Sequence, residues 1–166
     1  MTAVDELVYL LGEAFSGRGI EETHESQSLL SNLMSVEESM WRTAPPGGVR
    51  TIESVALHVG SCKVMYDEYA FGPGRLDWQD AEVQPWIEEA PMAGTIAWLE
   101  EAHERFLRHV RVLHDPDLDV RRRTNWGESR ETRWLISTII QHDTYHAGEV
   151  NHIRALLSSN DAWRWS

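Results

Sequence analysis

The stretch Leu135-Ile136-Ser137-Thr138-Ile139-Ile140-Gln141-His142-Asp143-Thr144-Tyr145-His146-Ala147-Gly148-Glu149-Val150-Asn151-His152-Ile153-Arg154-Ala155-Leu156-Leu157 decides the fold. Its apolar residues recur at helical spacing. At about 100° per residue, Leu135, Thr138, Ile139, His142, His146, Glu149, Val150, Ile153 and Leu157 share one face. The spacing predicts a helix over about 131–158, with His142 and His146 one turn apart inside its apolar stripe. Side chains at i and i+4 emerge roughly 6 Å apart in the same direction, so the two imidazoles can reach one ion. Burying both without a common purpose would cost desolvation twice. Asp143, turned about 100° from His142, is expected on the solvated flank.

Working outward, the periodicity stays helical and no alternating run makes a convincing strand. A short helix is expected over 3–15, ended by Gly17 and Gly19, and a second beginning near Glu22 and carrying Leu29, Leu30, Leu33 and Met34. Ser35-Val36-Glu37-Glu38 reads as a capping box opening a brief helix to Trp41. Pro45-Pro46-Gly47-Gly48 is a break. Further helices are expected over 51–71 and, with Pro91 in its first turn, over 91–113. Long connections of 72–90 and 116–130 follow these two. The second connection carries Arg121-Arg122-Arg123, read as solvated decoration or as an anchor for a substrate anion. The sum is one all-α domain over 1–166, a four-helix bundle with a short extra N-terminal helix and two long connections.

Composition narrows the function classes. The chain has 166 residues, 42 % hydrophobic, with eight tryptophans, which suits a folded globule. Twenty-seven acidic against 15 basic residues give a formal charge of −12. That field repels phosphate backbones, so nucleic acid is not the expected partner. No apolar run approaches the roughly 20 residues of a membrane span. The acidic start, Met1-Thr2-Ala3-Val4-Asp5-Glu6, is unlike a signal peptide. Cys62, the single cysteine, has no internal disulfide partner, and the expected location is the cytoplasm.

The helix at 51–71 adds a third histidine. Val55, His58, Cys62, Met65 and Tyr69 share its apolar face. Three inward-facing histidines on two neighbouring helices suit one first-row divalent ion and leave a coordination position open, the pattern of catalytic centres. Histidines that merely pack and hydrogen-bond in the core are the alternative. Glu149, one turn beyond His146, is a candidate general base or an acceptor for a ligand imidazole. Cys62 is a candidate fourth ligand, a redox-sensitive neighbour or a small buried hydrophobe. Trp126, Tyr145 and His24 are candidate pocket residues; ordinary packing explains Trp126 equally well, and for Tyr145, at the edge of the stripe, core packing is favoured over proton donation. Glu100-x-x-His103 and Glu149-x-x-His152 have di-iron spacing, but Glu100 and His152 lie off their stripes. His109 and His114 are expected at the surface.

Ser54-Val55-Ala56-Leu57-His58-Val59-Gly60 and Gln141-His142-Asp143-Thr144-Tyr145-His146-Ala147-Gly148-Glu149-Val150-Asn151-His152 resemble the DinB-like (YfiT-like) superfamily of four-helix-bundle metal proteins. Leu10-Leu11-Gly12-Glu13-Ala14-Phe15 also resembles its N-termini. The resemblance implies that His58, His142 and His146 hold a zinc, nickel or similar ion, and that the chain forms a homodimer. It further implies a metal-dependent enzyme acting on a small molecule, such as an S-transferase using a low-molecular-weight thiol cosubstrate. A metal-dependent hydrolase and a non-catalytic, stress-associated bundle locked by its ion remain the other readings.

Overall fold

A computed structural model describes residues 1–17 and 28–160. Its helices are α1 (Ala3–Ser16), α2 (Leu29–Met34), α3 (Ile52–Ala70), α4 (Pro91–Arg111) and α5 (Thr132–Ser158). Helices α1, α3, α4 and α5 form an all-α bundle, and the short α2 is the extra element, packed against α5. Local chemistry sets the ends. Thr2 and Asp5 form a reciprocal capping box on α1, and Gly17, at φ 64°, ends that helix in a left-handed turn that glycine tolerates without strain. The carboxylate of Asp115 accepts from the N–H groups of Ala3 and Val4, tying the start of α1 to the chain beyond α4. Thr51 caps α3 together with Ser54, and Pro91 opens α4.

Three local expectations fail. Ser35 does not cap a helix. Its Oγ turns back to donate to the Asn32 carbonyl, and only a 3-10 turn over Glu38–Met40 follows. The connection before α5 is not strand-free either. Strands β1 (Arg121–Arg123) and β2 (Ser129–Glu131) pair antiparallel around Asn125-Trp126-Gly127. The arginines of β1 are not mere decoration. Arg122 donates to Thr132 Oγ1 and the Ala70 carbonyl and lies 4.5 Å over the Phe71 ring, while Arg123 covers Tyr69 and donates to Pro73 and Gly74. They staple the hairpin to the end of α3.

The core divides along the bundle axis. One apolar cluster joins Phe15, Trp41, Ile52, Val55, Val59, Leu99, Val150 and Ile153. A second joins Val4, Leu11, Phe106, Val110, Ile136 and Ile139, and a smaller third, Val64, Met65, Val83 and Ala102, packs where α3 meets α4. On each of α3, α4 and α5 a buried ionisable residue falls between the two larger sets: Lys63, His103 and Asp143. Gly60 lets α4 approach α3 closely; a Cβ there would fall 2.2 Å from the ring of Trp98.

Candidate metal centre

The face of α5 that enters the core is shifted from the expected one. Ile136, Ile139, Asp143, His146, Val150 and Ile153 are buried, whereas His142 sits at the edge of that stripe and is partly exposed. Asp143 is therefore not on a solvated flank but fully buried. On α3 the buried residues include Val55, Val59, Lys63 and Asp67, and His58 lies on the exposed side of them. The three histidines consequently meet in the seam between α3 and α5, open to solvent at His58 and closed at His146.

Their geometry is convergent. His142 Nε2 lies 3.1 Å from His58 Nε2 and 3.1 Å from His146 Nε2. His146 Nδ1 lies 2.6 Å from Glu149 Oε2. A carboxylate only accepts, so this contact puts the His146 proton on Nδ1 and leaves Nε2 a bare lone pair. Glu149 is held in turn by Arg50, whose Nη1 is 3.0 Å from Oε1. His142 Nδ1 is buried and has no hydrogen-bond partner among the described residues.

Proton counting then tests the site for an ion. If His142 carries its proton on Nε2, one bond to His146 is made, but a bare Nδ1 stays buried. If it carries the proton on Nδ1, that donor is orphaned and two lone pairs face each other across 3.1 Å. Neither tautomer satisfies the cluster. A cation at His142 Nε2 removes the facing lone pairs, although His142 Nδ1 then carries the proton and still has no partner among the described residues. The two 3.1 Å spacings are close to the roughly 3.3 Å that separates imidazoles held about 2.0–2.1 Å from a tetrahedral ion. The protonation bias agrees. Burial, then the neighbouring His146 and His58, push His142 down to about 3. Burial also lowers His58 and, against the pull of Glu149, His146. Neutral imidazole is the form that ligates a metal.

Cys62 lies one turn after His58, its Sγ 3.9 Å from both ring nitrogens of that residue. Ligand atoms of His58, Cys62 and His142 all lie within 4.8 Å of one another, so these three residues could also hold an ion. Burial pushes the Cys62 thiol up to about 11.

The other candidates spread out. Tyr145 is 71 % exposed and touches His146 only edge-on, at 5.0 Å between centroids, so it rims the seam instead of lining a buried stripe. Trp126, at the hairpin turn, packs against Tyr66 and Trp134. Those residues stand two helical turns from His58 and His142, roughly 12 Å along each axis. His24 lies outside the described residues. His114 is exposed as expected, whereas His109 is half-buried, 2.6 Å from Asp67 and stacked on Phe71. The di-iron pairings are not assembled: Glu100 and His152 are exposed.

Sequence reasoning missed the buried polar group beside the cluster. Lys63 Nζ is 2.6 Å from Asp143 Oδ2, both side chains wholly buried, and 3.3 Å from His103 Nδ1. Burial pushes Lys63 down and Asp143 up, and each one's charge opposes the other's shift. His103 stacks on Phe15 at 3.8 Å. The available signal was heptad spacing, since 136, 139, 143, 146, 150 and 153 form an unbroken inward stripe once Asp143 is counted with it.

Among the described residues no helix is long and apolar enough to cross a membrane. No curated protein matches the chain. A family model described as the DinB superfamily matches residues 21–150, a span that holds α2 to most of α5 and every histidine of the cluster. By that match, and by the bundle that carries it, the chain belongs to the DinB superfamily.

Proposed function

We propose that the chain is a divalent-metal-dependent enzyme acting on a small molecule, with His58, His142 and His146 as its ligands. The approach of His142 Nε2 to within 3.1 Å of Nε2 of both His58 and His146, with lone pairs facing unless an ion or a proton lies between them, carries this reading. A bound ion would supply positive charge at the remaining coordination position, favouring the deprotonated form of a thiol or a water there. The chain's own residues do the rest. Glu149 fixes the His146 tautomer and so serves as a positioning residue, not a base, because both its oxygens are engaged by His146 and Arg50. His58 and Tyr145 leave the seam open to a small substrate. Cys62, held protonated, is a poor nucleophile. In an S-transferase the reactive sulfur would therefore come from a low-molecular-weight thiol.

Elemental analysis of protein purified without chelator is the test. One zinc or nickel ion per chain is expected, lost in His58→Ala, His142→Ala and His146→Ala. Stoichiometric absence of metal overturns the reading. Thiols presented with electrophilic acceptors then test the transfer step, and no turnover by metal-loaded protein excludes it.

A second reading, an ion that only locks the bundle, is favoured by the position of Cys62. With sulfur as a fourth donor the centre would be closed. In that case His142→Ala should lower the melting temperature in step with metal loss, and in the enzyme reading the fold survives.

A further inference from the structure

The polar group between the two larger apolar clusters has no part in the ion chemistry described above, yet its members adjoin the metal-site residues in sequence. Lys63 follows Cys62 on α3, and Asp143 follows His142 on α5. The Nζ–Oδ2 contact of 2.6 Å therefore joins the two helices that carry the cluster, at the level where the cluster sits. The same Nζ reaches His103 on α4 at 3.3 Å and lies 5.1 Å from the ring centroid of Phe15 on α1, so one ammonium touches all four bundle helices.

Apolar packing cannot fix this level alone. Val, Leu and Ile side chains above and below tolerate sliding and repacking, because dispersion is non-directional. A buried ion pair is not exchangeable in that way. Sliding α5 along α3 by one helical turn, about 5.4 Å, would part the pair and leave both groups buried without their partner. A single polar position inside an apolar helix seam is a well-attested way of specifying register.

We propose that Lys63 and Asp143 are positioning residues that set the axial register of α3 against α5, and so the spacing of His58 from His142 and His146. This rests on reading the three histidines as the metal ligands. Removing one partner strands a buried charge, but replacing both with apolar residues of similar volume keeps the packing and removes only the lock.

The test compares wild type, the double variant Lys63→Met with Asp143→Leu, and Asp143→Asn, by cobalt(II) titration against a competing chelator. The visible ligand-field spectrum and the thermal midpoint are recorded for each. The double variant should keep wild-type helicity and melting temperature, bind cobalt at least tenfold more weakly, and show a shifted or broadened ligand-field band. Asp143→Asn keeps the shape and an oxygen that still accepts from Lys63 Nζ but loses the counter-charge. It should therefore lower the thermal midpoint and weaken binding severalfold, and while it folds it covers the case in which the double variant does not. A folded variant with wild-type affinity and spectrum overturns the proposal. Wild-type protein that binds no cobalt overturns instead the histidine reading, and the register role with it.

Discussion

His146 Nδ1 and Glu149 Oε2, three residues apart on α5, lie 2.6 Å from each other, and this contact decides which imidazole nitrogen faces His142. Glu149→Ala should leave the fold intact but release the tautomer, weakening ion binding by about 10–100-fold. Glu149→Gln should stay nearer wild type, because an amide oxygen still accepts from Nδ1. Chelator competition on the purified variants measures both. Equal affinities across the three proteins would remove Glu149 from the site.

Gly60 is the narrowest point of the α3–α4 contact. In Gly60→Ala the new methyl falls 2.2 Å from the Trp98 ring, so ring or helix must shift. The expected cost is about 1–3 kcal/mol, read as a lower denaturation midpoint. Gly60→Ala combined with Trp98→Leu should recover part of it; a double variant no better than the single would place the strain elsewhere.

Acid should destabilise the chelator-treated protein through His103. Burial, then Lys63, holds this imidazole down to about 2. Folded, it stays neutral, while the unfolded chain takes up a proton below about pH 6.5. The associated stability is thus full above that pH and declines as pH falls from about 6.5 towards 2, by at most roughly 1.4 kcal/mol per unit. His103→Gln, which keeps an acceptor for Lys63, should flatten the loss between about pH 6.5 and 5.5 in urea titrations. Parallel pH slopes in the two proteins would contradict this.

Cys62 should alkylate slowly. With its thiol pushed up to about 11, the thiolate fraction near pH 8 is about two orders of magnitude below that of free cysteine. Iodoacetamide kinetics followed by mass spectrometry check this. A rate matching glutathione would show an unhindered, ionised thiol.

Much of the fold was legible because α3, α4 and α5 are long and bounded by Pro and Gly breaks or polar connections: expected bounds of 51–71, 91–113 and 131–158 became Ile52–Ala70, Pro91–Arg111 and Thr132–Ser158. The phase of the buried faces was not. Counting only apolar residues drew the α5 stripe through His142 and left Asp143 outside. Asp143 is buried only because Lys63, 80 residues earlier, neutralises it, and no local pattern announces such a pair. His58 was placed inward for the same reason, since Lys63 and Asp67 occupy the inward face of α3 and turn His58 outward. The hairpin escaped because three-residue strands of Arg, Ser and Glu carry no alternation of polarity; its one sign was the Asn125-Trp126-Gly127 turn.

The interruption of the core at Lys63, His103 and Asp143 also bears on how the molecule fluctuates. Apolar side chains on the two sides of that level do not form one continuous cluster, and α5 is one of the elements running through both. Opening one end then exposes its own cluster without forcing the other to part, so the bundle should exchange its amide hydrogens in two tiers. The boundary between slow and fast protons on α5 should fall near Asp143, beside the seam where a substrate would enter.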